Sequence, residues 1–318
     1  MTSIEPLAKL TTSMWQFRIL AAALKLNVFS IIKEQHSIAD IAKEIKTDED
    51  PVERLLNALV AMELIEKKDE TYHNTELSLK FLDKESPAYF GDFIRMFEES
   101  DASWRSLDEA ILNNTAVLED HDSKLAKPYF TRAMHNNAQA PAHALSEMID
   151  FSNRTHLLDI GAGSGAFSII LTNKNKNLKA TIVEQPRVCE TAKEYVGNNE
   201  RIDFLPGSYY DVEFPKHDVA LFGQIFHSNS AEQNMTLLQK VFDNIEIGGT
   251  LIITEFLLNE DKTGPLFPAL FSLNMLKETG EGRAYTFSEI STWLNEIGFK
   301  DVRKEHLIGP HTMIVANK

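Results

Sequence analysis

The stretch Leu157-Leu158-Asp159-Ile160-Gly161-Ala162-Gly163-Ser164-Gly165-Ala166-Phe167 decides the fold of this chain. It predicts a short apolar strand that ends in an acidic residue, followed by a glycine-rich turn and a helix. Glycines permit a tight turn and close approach of a ligand, because they carry no Cβ. The helix that follows directs its unpaired N–H groups toward that ligand. We therefore expect a nucleotide-like cofactor at Gly161, Gly163 and Gly165.

The acidic residues around this turn indicate which cofactor it binds. A second apolar strand, residues 179–183, ends at Glu184, and an acid at that distance can accept hydrogen bonds from the ribose hydroxyls of an adenosine. The glycine spacing alone also fits a dinucleotide site or a purely structural turn. Asp159 favours another cofactor, because a carboxylate there repels a pyrophosphate but suits a ligand that carries an ammonium and a sulfonium.

Composition excludes several classes of partner. The chain has 318 residues and a formal net charge of −15, which opposes binding to nucleic acid or to an anionic membrane. Cys189 is the only cysteine, so we expect no disulfide framework, no cysteine-based zinc site and no bound metal. Residues 1–10 lack an apolar signal-peptide core, and the apolar run 19–32 is too short to span a membrane. These features favour a cytoplasmic protein.

Residues 1–100 predict a winged-helix domain. Ser37 and Asp40 form a capping-box pattern for a helix over 38–45, and Asp50-Pro51 predicts the start of the next helix. A β-hairpin follows around residues 68–70. A winged helix suggests DNA binding, but acidic residues outnumber basic ones here and the recognition helix would begin with acids. We therefore expect a domain that dimerises.

From residue 155 onward, strands and helices alternate, which predicts a doubly wound parallel sheet of the Rossmann-like α/β class. The connection at 308–310 is too short for a parallel crossover, so the last strand should run antiparallel to its neighbour. We expect a methyltransferase-like domain over 101–318, with linking helices in 101–150. The predicted strands are 155–160, 178–183, 201–205, 217–222, 249–255, 299–306 and 311–316.

Polar residues follow the predicted strands. Because the carboxyl ends of parallel strands meet at one edge of a sheet, where ligands bind, we expect these side chains to form one site. They are Asp159, Glu184, Ser208, Gln224, His227 and Glu255.

From about residue 15 to the C-terminus, the chain resembles the class I S-adenosylmethionine-dependent O-methyltransferases of small molecules that have an N-terminal winged-helix dimerisation domain. The group includes plant caffeic-acid-type enzymes and bacterial natural-product tailoring enzymes. The segments that carry the resemblance are Leu26-Asn27-Val28-Phe29, residues 55–65, Phe130-x-x-Ala133-Met134, Asp159-Ile160-Gly161-x-Gly163-x-Gly165, His227, Ile247-Gly248-Gly249, residues 273–276 and Glu296-Ile297-Gly298-Phe299.

The resemblance implies a role for each matching residue. His227 matches the general base, and Glu255 matches the first of two acids that flank it. Asn274 matches a position near the substrate. The residues implied at the cofactor are Asp159, Gly161, Gly163, Gly165, Glu184, Ser208, Tyr209 and Gln224, while Phe130 and Met134 match positions that face the methyl donor and acceptor.

The chain departs from this family at three positions. Ser208 replaces the aspartate that contacts the adenine amino group, Ser228 replaces the aspartate after the histidine, and Ala284 occupies the position of the second flanking acid. The resemblance still implies a homodimer that methylates a hydroxyl of a small aromatic molecule. Two alternatives stay open: an N- or C-methyltransferase in which His227 only positions the substrate, and a non-catalytic protein that binds the cofactor.

Overall fold

The computed structural model describes residues 2–34, 36–117 and 128–318, in two compact units, Met1–Ser100 and Asp101–Lys318. None of the helices in these ranges is long and apolar enough to cross a membrane.

The first unit is helical around a small antiparallel sheet. Its described strands are ordered β1-β3-β2, which is the arrangement expected of a winged helix. Ser37 and Asp40 form the predicted capping box at the helix over Ile38–Ile45. In chain order the elements are α1 (Glu5–Lys25), α2 (Val28–Ile31), β1 (His36–Ser37), α3 (Ile38–Ile45), α4 (Glu49–Ala61), β2 (Ile65–Lys68), β3 (Thr71–Asn74), α5 (Glu76–Phe81) and α6 (Gly91–Glu99).

The predicted start of α4 is wrong by two residues. Asp48, not Asp50, is the N-cap, and its side chain makes no capping hydrogen bond. Pro51 therefore lies at the third helical position rather than the first. This is tolerated because the N–H groups of the first helical turn have no partner within the helix, so a proline there removes no hydrogen bond.

The second unit contains the alternating strands and helices. Its elements are α7 (Asp101–Arg105), α8 (Leu107–Asn113), α9 (Pro128–Met148), β4 (His156–Ile160), α10 (Ala166–Lys174), β5 (Lys179–Glu184), α11 (Pro186–Val196), β6 (Ile202–Pro206), β7 (His217–Gly223), a 3₁₀ turn (Phe226–Ser228), α12 (Ala231–Asn244), β8 (Ile245–Glu255), α13 (Leu266–Thr279), α14 (Phe287–Ile297), β9 (Lys300–Ile308) and β10 (His311–Asn317).

The described strands of this unit form a seven-stranded sheet in the order β6-β5-β4-β7-β8-β10-β9. Strands β4 to β8 are parallel, whereas β10 runs antiparallel to both β8 and β9. The predicted fold class, a doubly wound sheet that ends in an antiparallel strand, is confirmed. Separate apolar clusters cover the two faces of the sheet, and they include Phe222 and Leu238 on one face and Leu157 and Leu171 on the other.

The strands lie within two residues of their predicted bounds, except for one. Strand β8 begins at Ile245, four residues earlier than expected, and Ile245 pairs with His217 across a register shift. The N–H of Gly248 donates to the carbonyl of Lys318 at 3.0 Å. The residue after β10 thus contacts the early part of β8, and no local sequence pattern predicts that contact.

Candidate active site

The three glycines of the turn after β4 all have left-handed backbones, with φ of 65°, 57° and 76°, but their surroundings differ. A Cβ on Gly165 would lie 2.5 Å from Ile182 Cδ1, so this glycine lets α10 pack against β5. A Cβ on Gly161 would lie 2.3 Å from Ile225 Cδ1. At Gly163 a Cβ would meet nothing within 4 Å. A side chain at Gly163 would therefore face open space.

Asp159 lies directly beneath this turn. It is almost fully buried, and Ser168 Oγ donates to its Oδ2 at 2.7 Å, whereas no described residue donates to its Oδ1. Burial raises the pKa of this carboxyl to about 7, and the nearby Glu184 contributes in the same direction. A buried acceptor without a donor costs free energy, so the site suits a ligand that supplies a cationic donor.

Glu184 closes the neighbouring strand and is held by backbone groups. Its Oε2 accepts from the N–H of Gly163 at 2.8 Å, and its Oε1 accepts from the N–H of Gln185 at 2.7 Å. Burial raises the pKa of this carboxyl. Each oxygen keeps a further lone pair, so the carboxylate can still accept hydrogen bonds from vicinal hydroxyls. These acids and Gly163 fit S-adenosylmethionine, which carries a ribose diol, an ammonium and a sulfonium.

Ser208 and Tyr209 follow β6 at the same edge. Ser208 Oγ accepts from the N–H of Tyr210 at 3.2 Å and thereby caps its own turn. The ring of Tyr209 approaches Gly161: its Cε1 lies 3.7 Å from where a Cβ on that glycine would be. The hydroxyls of Tyr209 and Tyr210 both donate to Asn229 Oδ1, at 3.3 and 2.9 Å. The aromatic ring beside the turn is thus fixed at its hydroxyl end.

Gln224 follows β7 and adopts a left-handed backbone, with φ of 63°. This conformation is uncommon for a residue with a side chain. The N–H of Gln224 donates to the carbonyl of Thr254 at 2.9 Å, and its amide group contacts Asn137 and His311. Gln224 thus joins β7 to α9 and β10.

His227 lies in the 3₁₀ turn between β7 and α12, and its partner is the side chain of Glu255. His227 Nδ1 lies 2.9 Å from Glu255 Oε1 and 3.0 Å from Oε2, and the backbone N–H of His227 also donates to Oε1 at 3.2 Å. Glu255 is buried and accepts a further hydrogen bond from the N–H of Phe256. This arrangement places the proton on Nδ1 and leaves the Nε2 lone pair for another group.

Aromatic rings surround this histidine. Phe271 on α13 presents its ring at 82° to His227, with ring centroids 4.8 Å apart, and Phe256 lies 6.1 Å away on another side. Phe267 packs against both of these phenylalanines. Asn274 is half-buried on α13, three residues after Phe271. The structure therefore brings Asn274 onto the helix that contacts His227.

Phe130 and Met134 lie in the first half of α9, and both are half-buried. The next residue, His135, connects this helix to the glycine turn, because its Nδ1 lies 2.7 Å from Ser164 Oγ. The ring of His135 also stacks on Tyr195, with centroids 3.8 Å apart. Met134 is therefore adjacent in sequence to a residue that contacts the turn.

The segment that would carry the second flanking acid lies against the histidine turn. A Cβ on Gly282 would lie 2.3 Å from the carbonyl oxygen of His227. Ala284, two residues later, is buried and offers only a methyl group. Glu255 is accordingly the carboxylate that contacts the imidazole. Among the residues that the structure describes, no group of three or more His, Cys, Asp or Glu could hold a metal ion.

Sequence reasoning did not single out Asn137, Asn229, His311 or His135 as part of this site. None of them follows the glycine pattern or ends a parallel strand. They reach the site from α9, from the loop before α12 and from the start of β10. No sequence pattern indicates the contact of Phe271 with His227, which depends on the tertiary structure.

Comparison with known proteins agrees with this geometry. A family model for the O-methyltransferase domain matches residues 114–300, and one for the O-methyltransferase dimerisation domain matches residues 8–84. The chain is 31% identical over 317 residues to 3-hydroxy-5-methyl-1-naphthoate 3-O-methyltransferase from Streptomyces sahachiroi. The alignment covers 96% of this chain and 92% of that protein.

Solved structures give the same result. Human N-acetylserotonin methyltransferase in complex with SAM superposes with a TM-score of 0.91 at 25% identity, over 99% of this chain and 97% of that one. PigF with SAH superposes with a TM-score of 0.89 at 26% identity, over 100% of both chains. The chain therefore belongs to the O-methyltransferase family and is an S-adenosylmethionine-dependent O-methyltransferase.

Proposed function

We propose that this enzyme methylates a hydroxyl group of a small aromatic molecule and that His227 is the general base. The observation that carries the proposal is the pairing of His227 Nδ1 with both oxygens of Glu255, at 2.9 and 3.0 Å. A carboxylate can only accept, so the Nδ1 proton is committed to it and Nε2 is basic.

The proton transfer sets the timing of the reaction. A phenol has a pKa of about 10 and an imidazole about 6.5, so complete deprotonation before attack would be uphill by roughly 4–5 kcal/mol. His227 therefore removes the proton as the oxygen attacks. Glu255 holds the ring in one orientation and stabilises the imidazolium that forms. When bound, S-adenosylmethionine supplies a methyl group on a positively charged sulfur.

We propose that the residues at the ends of β4 to β7 hold this cofactor. Glu184 accepts the ribose hydroxyls, and Asp159 faces the cationic end through its orphaned oxygen. Tyr209 packs on the adenine ring, and Ser208 lies beside it. Gly163 provides the open approach, while Gly161 and Gly165 shape the turn. Gln224 contributes an amide on the side of the turn opposite Glu184.

An aromatic acceptor is supported by the rings that surround His227. Phe271, Phe256 and Phe267 offer edges and faces on which a planar substrate can stack. Asn274 adds one amide on the same helix, and Phe130 and Met134 are proposed to contact the acceptor from α9. The name of the Streptomyces relative specifies a hydroxyl on a naphthoate ring as its methylation site.

Titration calorimetry followed by a transfer screen tests the proposal. We expect S-adenosylmethionine and S-adenosylhomocysteine to bind, and methyl transfer to phenols or catechols but not to amines. Transfer to amines alone would contradict the hydroxyl assignment and favour a positioning-only enzyme. Binding without turnover on any acceptor class would favour a non-catalytic protein.

We also propose that the enzyme is a homodimer formed through its N-terminal unit. Five large apolar side chains on or just before α1 are at least 60% exposed, and their spacing places them along the helix: Ile4, Leu7, Leu10, Met14 and Trp15. Such a stripe is unusual on the surface of a monomer. The same region lies largely within the segment that matches the dimerisation-domain model.

Sedimentation velocity checks the homodimer. We expect the full-length protein to sediment as a dimer, and the double variant Leu10→Lys/Met14→Lys to shift toward monomer. Lys9→Ala, at an exposed position on the same helix, is the matched control and should stay dimeric. A parent protein that is monomeric at micromolar concentration would overturn the proposal.

A further inference from the structure

A second histidine lies close to the site and has no role in the proposed chemistry. His311 begins β10, at the edge where β8 ends in Glu255, and it is only 5% exposed. Its ring packs on Phe256, with centroids 4.8 Å apart. Its Nδ1 lies 2.6 Å from Gln224 Nε2, which makes the amide of Gln224 its hydrogen-bonding partner.

The direction of this hydrogen bond depends on the state of the imidazole, and a neutral ring permits Nδ1 to accept. Burial lowers the pKa of His311 to about 4, so the ring is neutral near pH 7. A neutral ring can accept at Nδ1, and the amide N–H₂ of Gln224 then donates to it. A ring that carried a proton on Nδ1 would require the opposite orientation of the amide.

A second contact agrees with this orientation. Asn137 Nδ2 on α9 lies 3.5 Å from Gln224 Oε1, so it faces the oxygen of that amide as a donor. The chain of contacts therefore has one polarity, from Asn137 to Gln224 to His311. The left-handed backbone of Gln224 and the hydrogen bond from its N–H to the carbonyl of Thr254 fix the position of the backbone from which its side chain extends. Gln224 Oε1 is accordingly directed away from β10.

The order of the strands shows which end of a ligand this oxygen faces. Strand β4, which carries the glycine turn, lies between β5 and β7. Glu184, the proposed ribose acceptor, ends β5, whereas Gln224 follows β7. The strands that carry these two residues thus flank β4 from opposite sides. If Glu184 holds the ribose, Gln224 faces the amino-acid end of the cofactor.

We propose that His311 is a positioning residue that fixes the Gln224 amide with its oxygen presented to the ammonium group of the cofactor. The inference rests on the proposed cofactor-binding role of Gln224. An amide free to turn over would present its N–H₂ for part of the time, and that group repels an ammonium. By holding the amide in one orientation, His311 favours ligands that carry the cationic end.

Calorimetry with two ligands tests this role. S-Adenosylhomocysteine carries the ammonium, whereas 5′-methylthioadenosine has the same adenosine and thioether without the amino-acid group. His311→Phe keeps the ring on Phe256 but removes the acceptor atom. We expect this variant to bind S-adenosylhomocysteine about tenfold more weakly and 5′-methylthioadenosine within about twofold of the parent.

A conservative variant sharpens the test. In His311→Asn the side-chain oxygen can take the place of Nδ1, so we expect the affinity for S-adenosylhomocysteine to return to within about threefold of the parent. Gln224→Ala should show the same selective loss as His311→Phe, and the double variant should lose no more than either single one. If His311→Phe does not fold, His311→Ala removes the same atom without adding volume and is measured in the same way.

Three outcomes would overturn the inference. They are equal weakening of both ligands in His311→Phe, no weakening of either, and failure of His311→Asn to restore binding. Each is separable from failure of the proposed function, because that function is tested by methyl transfer to hydroxyls and not by cofactor selectivity. A protein that methylates phenols but binds both ligands independently of residue 311 would keep its function and refute the role of His311.

Discussion

The cofactor half and the acceptor half of this site are held by different kinds of contact. In the cofactor half, the carboxylate of Glu184 accepts from the backbone N–H groups of Gly163 and Gln185. In the acceptor half, the imidazole of His227 is oriented by the side chain of Glu255 and bordered by the ring of Phe271. The first arrangement depends on where the chain turns, and the second depends on which side chains three separate elements bring together.

Substitutions in the two halves should therefore impair different steps. A change of backbone shape at the glycine turn should weaken cofactor binding whatever the acceptor. A change of side chain around His227 should slow methyl transfer and leave cofactor binding intact, because none of the described contacts of His227 reaches the glycine turn. Cofactor binding and methyl transfer can be measured separately, so experiments can show whether the two halves are independent.

The largest expected effect is in the acceptor half. His227→Ala should lower kcat by about 10² to 10⁴, the usual contribution of a positioned general base, and leave the Kd for S-adenosylhomocysteine within about twofold. His306→Ala, at an exposed histidine on β9, is the matched control and should keep full turnover. Near-parental turnover in His227→Ala would remove the base assignment and favour an acceptor atom more nucleophilic than a hydroxyl.

The next effect is in the cofactor half. Gly163→Val should raise the Kd for S-adenosylhomocysteine by about 10², because a branched side chain would occupy the open space beside the turn. Gly197→Val is an unusually close control: Gly163 and Gly197 share a φ of 57°, and a Cβ at either position meets nothing within 4 Å. Both variants place a branched side chain at a positive φ, so the comparison by calorimetry tests what is particular to Gly163. Equal affinities in the two variants would show that Gly163 does not face the cofactor.

Glu255→Gln should have a smaller effect on turnover. The substitution keeps an oxygen that can accept from His227 Nδ1 but loses the charge that stabilises the imidazolium, so we expect kcat to fall by about 10 to 10². Its new N–H₂ group would also face either the backbone N–H of Phe256 or the donors of His227, so the thermal midpoint should be measured alongside kcat. A Kd for S-adenosylhomocysteine raised as much as in Gly163→Val would contradict the separation of the two halves.

The last expected effect concerns only the stability of the ligand-free protein. Burial raises the pKa of Asp159 to about 7 in the folded state, above its value of about 4 in the unfolded chain. The stabilisation that comes from the protonated Asp159 carboxyl is therefore complete below pH 4, and it is lost as the pH rises toward 7. Asp159→Asn cannot ionise, so relative to the parent it should gain stability between pH 5 and pH 8, on the order of 2–3 kcal/mol.

Urea denaturation at the two pH values measures this difference. A control at an exposed aspartate, Asp211→Asn, should follow the parent at both pH values. If Asp159→Asn and the parent keep the same difference in free energy of unfolding at pH 5 and pH 8, the carboxyl is ionised throughout. The cofactor half would then hold an ordinary charged aspartate.

The cofactor half could be predicted almost completely from the sequence. Its glycines and acids lie in one strand-turn-helix-strand segment, so their spacing along the chain largely fixes their spacing in space. The bounds of the helix Phe287–Ile297 are marked locally, by a capping box at Thr286 and by Gly298 at its C-terminal end. The early start of β8 could not be predicted, since the pairing with β7 and the contact with Lys318 join residues far apart in sequence.

The sequence alone predicted the succession of strands and helices along the chain, an acidic residue at the glycine turn that favours a cationic cofactor, and the positions of His227 after a strand and of Glu255 at the end of one. These follow from local patterns of apolar, glycine and acidic residues, which act over a few residues of chain. Only the tertiary structure decided that Phe271 borders His227 and that His311 contacts Gln224. Side chains from α13 and β10 reach the site because β7, β8 and β10 are neighbours in the sheet. No local sequence pattern predicts these contacts.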